Sequence, residues 1–403
     1  MEFLREKETA TSLQQLLDAA FQHHYAIAAW KNTGREVINV VIDLSEQYKD
    51  PVDPELETLK PGFLVSPFLN ESNHLAYLVK ADVHFQGKNG HELNAIPRPD
   101  FQDDEAGERF LDKLPEKKQA VLPKYFNIDH DNLKDSTEKD FKDLIQLAID
   151  RIRLGEIQKV VPSRRETIDL HEDFNLASAF MELTRQYPEA FISFFSIPDK
   201  GTWMGASPEI LIEINEQGIF RTSAVAGTQL WHPEEDLSSV AWTQKEIEEQ
   251  ALVSRYIINN FKKIRLREFE EYGPKTIRAG NLVHLRTDFT VNIRDVNFPQ
   301  LGTVMLKLLH PTSAVCGMPK DSSAEFLRKH ENYDREFYSG YLGPVNIENR
   351  TGLYVNLRCA RLLDKKAFLY SGAGITLDSN PEKEWHETLI KNQTMMEILR
   401  AGE

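Results

Sequence analysis

The sequence predicts an α+β protein: large, mainly antiparallel β-sheets packed together, with helices on the outside. Two patterns carry this prediction. Strand-like apolar runs recur along the whole 403-residue chain, and segments of helical period stand among them instead of forming a separate block. There is no internal repeat and no low-complexity tract. A chain of this length can bury a large core, and its 41% hydrophobic and 28% charged residues are ordinary for a globular protein.

The elements follow in order. Residues 12–23 read as a helix, and residues 37–42 and 74–79 alternate as strands do. Residues 1–125 form a β-rich N-terminal subdomain by this reading, and the polar stretch 127–140 a connecting loop. From Asp140 the period turns helical, with Phe141, Leu144, Ile145, Ala148 and Ile152 on one face and Gly155 as the stop. Strands are expected at 157–163, 190–197, 210–214 and 218–226. A long helix opens near Thr243 and runs to Phe261 or beyond. Strands at 283–293, 352–362 and 367–370 precede a last helix over 381–399. Residues 140–403 make up the second region, interwoven with the first.

Charge bounds the partners. At a net charge of −15, nucleic-acid backbones and anionic membranes are repelled, and so is a small anion unless a metal ion or local arginines reverse the field. The two cysteines, Cys316 and Cys359, sit in apolar runs, which suits a reducing compartment. The first residues lack the apolar core of a signal peptide, and no apolar stretch is long enough for a bilayer. A cytoplasmic location is expected.

Several side chains stand in positions suited to chemistry. Residues three apart on a helix share a face, so Glu246 with Glu249, and Glu384 with Glu387, can each present paired carboxylates to Mg²⁺. Each pair also has a plain reading as helix-start chemistry: Thr243 and Glu246 form a capping box, and Asn380-Pro381 an N-cap with a first-turn proline. Lys159 enters an apolar strand. By its neighbours alone it reads as a snorkelling surface residue, whereas burial would make it a usable base. Glu209 follows the small-residue turn Gly205-Ala206-Ser207-Pro208, where it is either a solvated strand end or a desolvated acid. Arg358, in an apolar run, needs an anion or an internal salt bridge; Tyr338 could share that anion or be core. Gly372 and Gly374 lack the third glycine of a dinucleotide fingerprint, but could expose N–H groups to a carboxylate. His23, His24, His284 and His386 show no ligand spacing and read as surface or core.

Taken together, Lys159-Val160-Val161-Pro162-Ser163-Arg164, Gly205-Ala206-Ser207-Pro208-Glu209, Ala226-Gly227-Thr228, His310-Pro311-Thr312-Ser313-Ala314-Val315-Cys316-Gly317 and Ser371-Gly372-Ala373-Gly374-Ile375 resemble the chorismate-utilising enzymes. That family comprises anthranilate, aminodeoxychorismate, isochorismate and salicylate synthases. The likeness runs from about Asp140 to the C-terminus. It implies a base at Lys159 for water attack at C2 of chorismate, and an acid at Glu209 for the departing C4 hydroxyl. It implies Glu249 and Glu387 as principal Mg²⁺ ligands, with Glu246 and Glu384 in support. Arg358 and Tyr338 match residues that bind the enolpyruvyl carboxylate, and Gly227, Thr228, Ala314, Gly372, Gly374 and Lys391 match positions around the substrate. Lys159 combined with Ala314 points to the isochorismate-forming branch. A salicylate-forming lyase, an aminating subunit and a non-catalytic homologue are the alternatives. No glutaminase partner is expected, and a monomer or weak homodimer is. The product could feed menaquinone, a siderophore or salicylate. One departure stands out: where the family continues with a basic stretch, this chain has Gln229-Leu230-Trp231-His232.

Overall fold

In a computed structural model of the chain, residues 11–45, 48, 50–69, 75–96, 110, 112, 114, 125–127, 135–231, 236–279 and 282–400 are described. Two large sheets dominate. The nine-stranded sheet runs β6 (Asn94–Ala95), β5 (Val83–Gly87), β2 (Ile38–Asp43), β1 (Ala26–Lys31), β9 (Phe191–Ile197), β10 (Gly201–Ser207), β18 (Cys359–Leu362), β19 (Lys366–Gly372) and β8 (Ser163–Asp169). The eight-stranded sheet runs β13 (Glu270–Ala279), β14 (Leu282–Asn292), β12 (Ile219–Leu230), β11 (Ile210–Ile214), β17 (Thr351–Val355), β16 (Tyr341–Val345), β3 (Gly62–Ser66) and β4 (Tyr77–Lys80). A short ribbon joins β7 (Lys159–Val160) to β15 (Gly317–Met318). Every pairing among these strands is antiparallel.

The period of two along each strand sorts side chains into layers. From β1, Ala28 and Trp30 enter the core between the sheets, while Ile27 and Ala29 face the opposite way. In β3, Phe63 and Val65 point inward and Leu64 outward. In β9, Phe195 and Ile197 are inward, Ile192 and Phe194 outward. Both faces are therefore apolar and both are covered. Helices α1 (Leu13–Gln22), α3 (Leu176–Gln186) and α7 (Pro381–Arg400) pack on the nine-stranded sheet; α2 (Glu138–Arg153), α4 (Gln244–Lys263) and α5 (Leu301–Leu309) pack on the other. A further helix, α6 (Lys320–His330), follows β15. The strands of the N-terminal third are built into both sheets: β1 pairs with β9, and β3 with β16.

Helix starts obey local chemistry. Ser12, Thr137 and Thr243 each close a capping box, and Asn380 accepts from the first-turn N–H groups of Glu382 and Lys383. Thr137, not Asp140, is thus the start of α2.

Two expected strands turn out broken. The run 157–163 splits at Pro162, which has no N–H to donate; β7 belongs to the ribbon and β8 to the nine-stranded sheet. The run 352–362 also changes sheets, with β17 in one and β18 in the other. The crossing is made by Asn356-Leu357-Arg358. Asn356 is pinned by its side-chain N–H to the Phe337 carbonyl (2.9 Å), and Arg358 takes a left-handed φ of 48°. Arg358 is therefore at a corner between sheets, not on a strand. Strand β10 escaped the sequence reading because five of its seven residues, all but Trp203 and Met204, are small, and β13 because it is polar and largely exposed. Of the expected 74–79 strand, Tyr77–Lys80 is strand and residue 74 lies outside the described residues, as do 128–134 of the expected loop.

Candidate active site

Lys159 is the first correction inside the site. It does not snorkel: only 2% of the residue is exposed, and Nζ donates to Glu249 Oε1 at 2.8 Å. Burial follows from the ribbon, which lays β7 under β15, and from α4, whose buried face brings Glu249 across. Gly374 makes room for this pair. A Cβ there would stand 3.1 Å from Lys159 Cε and 3.4 Å from Glu249 Oε1.

Burial raises the Glu249 carboxyl, but the charge and hydrogen bond of Lys159 outweigh it and hold the group below the usual range, against the repulsion of Glu387. Glu387 is treated likewise. Burial opposes its charge, and Lys391 (Nζ to Oε1, 2.6 Å), with Lys245 and Arg358, restores it and keeps the pKa low. Glu384, one helical turn earlier, is raised by burial and by Glu387, with Lys245 at 3.3 Å as partial relief. Glu246 is held elsewhere: its carboxylate closes the Thr243 capping box and accepts from Gln229 Nε2 at 3.0 and 3.1 Å. The atypical Gln229 thus has a definite job. The neighbouring Trp231 ring lies 4.0 Å from the Arg278 guanidinium, while His232 is outside the described residues.

Glu209 sits between β10 and β11. Ser207 orders the turn by donating to the Val355 carbonyl (2.6 Å) and accepting from Glu209 N–H (3.2 Å). Burial pushes the Glu209 carboxyl up to about 7, against the Thr312 hydroxyl (3.4 Å) and the charges of Lys159 and Lys391. Ala314 lies two residues beyond Thr312, in a turn closed by the N–H groups of Val315 and Cys316 on the Thr312 carbonyl.

Arg358, Tyr338, Lys391 and Gly372 lie together on another side of the site. Burial lowers the Arg358 pKa while Glu387, Tyr338 and Tyr187 oppose that. Tyr338 is buried, stacked on Tyr370 at 5.3 Å, with its phenol pushed up to about 12 by burial. Lys391 also donates to the Gly372 carbonyl at 2.7 Å. A Cβ on Gly372 would meet Pro162 O at 2.8 Å and Tyr338 OH at 3.2 Å. Thr228, Arg358, Glu387 and Lys391 line a cavity of about 310 Å³. Next to Thr228, Gly227 takes a φ of 69° and packs against Trp242, whose ring a Cβ would meet at 3.0 Å.

Do these groups suit a metal ion? Among the described residues no three acidic, histidine or cysteine side chains converge closely enough to hold one alone. Mg²⁺, however, takes one or two carboxylates and completes its shell with water and substrate oxygen. Glu249 and Glu387, half-buried and within each other's field, are a donor set of that kind.

A family profile described as "Chorismate binding enzyme" matches residues 94–400, about three quarters of the chain. The chain belongs to the chorismate-binding enzymes. Among curated members, the isochorismate synthase EntC of Escherichia coli is 29% identical over 265 residues, which are 64% of this chain and 66% of EntC. MenF, an isochorismate synthase of the same organism, is 28% identical over 249 residues, 60% of this chain and 56% of MenF. The matched stretch thus spans under two thirds of either relative. In three dimensions the fold extends further. The solved structure of E. coli MenF superposes with a TM-score of 0.74 at 21% identity, covering 99% of this chain and 97% of that one. Anthranilate synthase component I of Streptococcus pneumoniae gives 0.66 at 19% identity, covering 92% and 89%.

Within this chorismate-binding scaffold one residue escaped the sequence reading. His284, set aside there as surface or core, is buried beside Gly227 and Thr228. Nδ1 is 2.8 Å from the Gly227 carbonyl, and burial lowers the pKa to about 4, as do the charges of Arg358 and Lys391. A neutral imidazole facing a carbonyl must carry its proton on that nitrogen, leaving Nε2 as an acceptor. No signal in the sequence marked it; the antiparallel register, with Ala226 opposite Leu285, is what sets it beside the Ala226-Gly227-Thr228 motif.

Proposed function

We propose that the protein is a Mg²⁺-dependent isomerase converting chorismate to isochorismate. The observation that carries the reading is the pair of opposed proton carriers. Lys159 is a buried amine within a hydrogen bond of Glu249, and Glu209 is a half-buried carboxyl whose pKa is pushed up to about 7 by desolvation. Moving a hydroxyl around the ring needs both. Lys159 must first give up the proton it directs at Glu249; as the neutral amine it takes a proton from water as the new C2–O bond forms. The ring double bonds shift, the C4–O bond breaks, and Glu209 gives its proton to the departing hydroxyl. One water is consumed and one released. Arg358 and Tyr338 bind the enolpyruvyl carboxylate, and the carbonyl-held Lys391 lies beside them. Magnesium, held by Glu249 and Glu387 with Glu384 and Glu246 in outer support, would neutralise the ring carboxylate in an acidic protein.

The names of the E. coli relatives, both isochorismate synthases, support this branch. The test is product analysis with chorismate, with Mg²⁺ or EDTA, and with or without ammonium. Isochorismate as sole product, lost on chelation and reduced about 10²–10⁴-fold in Lys159→Ala, is the expected result. Pyruvate release with salicylate, or an aminated product, would reassign the branch.

A further inference from the structure

Where α6 ends, a buried ion pair that carries none of the proposed proton transfers reaches both halves of the site. Glu331 is the C-cap of that helix, and its carboxylate accepts from Arg335 (Nη2 to Oε1, 2.5 Å; Nε to Oε2, 2.8 Å). Only 4% and 2% of the two side chains are exposed. The guanidinium fork has two further partners, the carbonyls of Val161 (2.6 Å) and Val315 (2.9 Å). Four of its five N–H groups are thereby spent, in directions that a planar group fixes. Glu331 in turn accepts from the N–H and hydroxyl of Ser163 at 2.7 and 2.9 Å.

The two carbonyls belong to opposite sides of the proposed reaction. Val161 lies two residues beyond Lys159, just before Pro162, where the chain leaves the ribbon for the nine-stranded sheet. The ion pair grips that break on both flanks, Arg335 before it and Glu331 after it. Val315 belongs to the turn of Thr312, whose hydroxyl meets Glu209 at 3.4 Å. One planar fork therefore spans from the segment of the base to the turn that contacts the acid. The guanidinium also lies 4.2 Å from the centre of the Phe68 ring, which holds its plane. Taking such a pair out of water is costly, and a well-packed apolar pair often serves stability as well or better. An apolar pair cannot, however, hold two carbonyls at one set separation.

We infer that Arg335, oriented by Glu331, is a positioning residue that sets Lys159 and Glu209 at their working separation. It acts through the backbone of Val161 and Val315. The inference rests on the reading of Lys159 as base and Glu209 as acid.

The test is Arg335→Lys, which keeps the charge and loses the fork, followed in the full chain by amide hydrogen exchange and by chorismate turnover. Exchange should quicken about tenfold over residues 157–163 and 312–318, while that of β1 stays as in the wild type. The kcat per folded molecule should fall about 10²-fold, with KM within about twofold. Glu331→Gln should show the same pattern. Ser163→Ala, which removes no charge, should show it at about threefold in exchange and in kcat, and stays readable if the ion-pair variants do not fold. Unchanged exchange and kcat in the folded variants overturn the inference. So does exchange that quickens alike in every strand, with KM rising alongside, because that marks a merely structural pair. A wild type that does not turn over chorismate refutes the reading of base and acid, and exchange alone then decides whether Arg335 fixes the two segments.

Discussion

Glu209 sets the pH behaviour expected of the site. As an acid it must be protonated, and burial places its titration near 7. Chorismate turnover should therefore fall as pH rises through about 7, and Glu209→Gln should lose about 10²–10⁴-fold in kcat and with it that limb of the profile. The same shift has a stability sign. A carboxyl raised from 4.5 binds more protons folded than unfolded between those values, so its contribution falls as pH rises toward 7. Glu209→Gln should gain thermal midpoint over the wild type at pH 8 and not at pH 5. Gly374 offers a cleaner probe of geometry. A methyl there meets only the flexible ends of Lys159 and Glu249, so the fold can yield while the reacting atoms move. Gly374→Ala should cost about 10²-fold in kcat with little change in melting temperature. Much at this scale was legible in the sequence: the i, i+3 carboxylate pairs and the turn before Glu209 are local patterns. The burial of Lys159 was not, because it is imposed by β15 and α4, far away in the chain. His284 was hidden for the opposite reason, since a lone histidine in an apolar run looks like any core residue.

Elements explain both the successes and the errors of the reading. Helices with their own caps, such as those opened by Ser12 and Thr243, are specified within four residues. Strands are specified by neighbours, and an unbroken apolar run does not reveal that the chain changes sheets midway, as it does at Asn356–Arg358. That corner is also what delivers Arg358 to the site. The sheet-to-sheet core has its own test. Trp203, 1% exposed, stacks on Tyr370 at 5.2 Å and meets Phe337 edge-on. Trp203→Ala should cost about 3–5 kcal/mol of stability, measured by urea denaturation. Tyr370 in turn supports Tyr338, so the same variant should raise KM for chorismate more than it lowers kcat.

At the scale of the molecule, sign and placement of charge decide what can enter. Among the described residues no helix is long and apolar enough to cross a membrane, and this acidic chain sets cations of its own, Arg358 and Lys391, in the lining of the candidate site. The sheets also depend on strands from both ends of the sequence. Removing residues 1–66 would strip β1, β2 and β3, leaving β9 and β16 as long apolar edges, and the remainder should express as insoluble protein. The pairing of β3 with β16 has a consequence in time as well as space. Leu64 meets Gly343, which the ribosome adds about 280 residues later, on the order of 15–60 s at ordinary rates of synthesis. Throughout that interval the nascent β3 has one of its two edges unclaimed. The protein therefore cannot complete its second sheet until Tyr341–Val345 has been made, and its yield should track the supply of chaperones that shield a waiting strand.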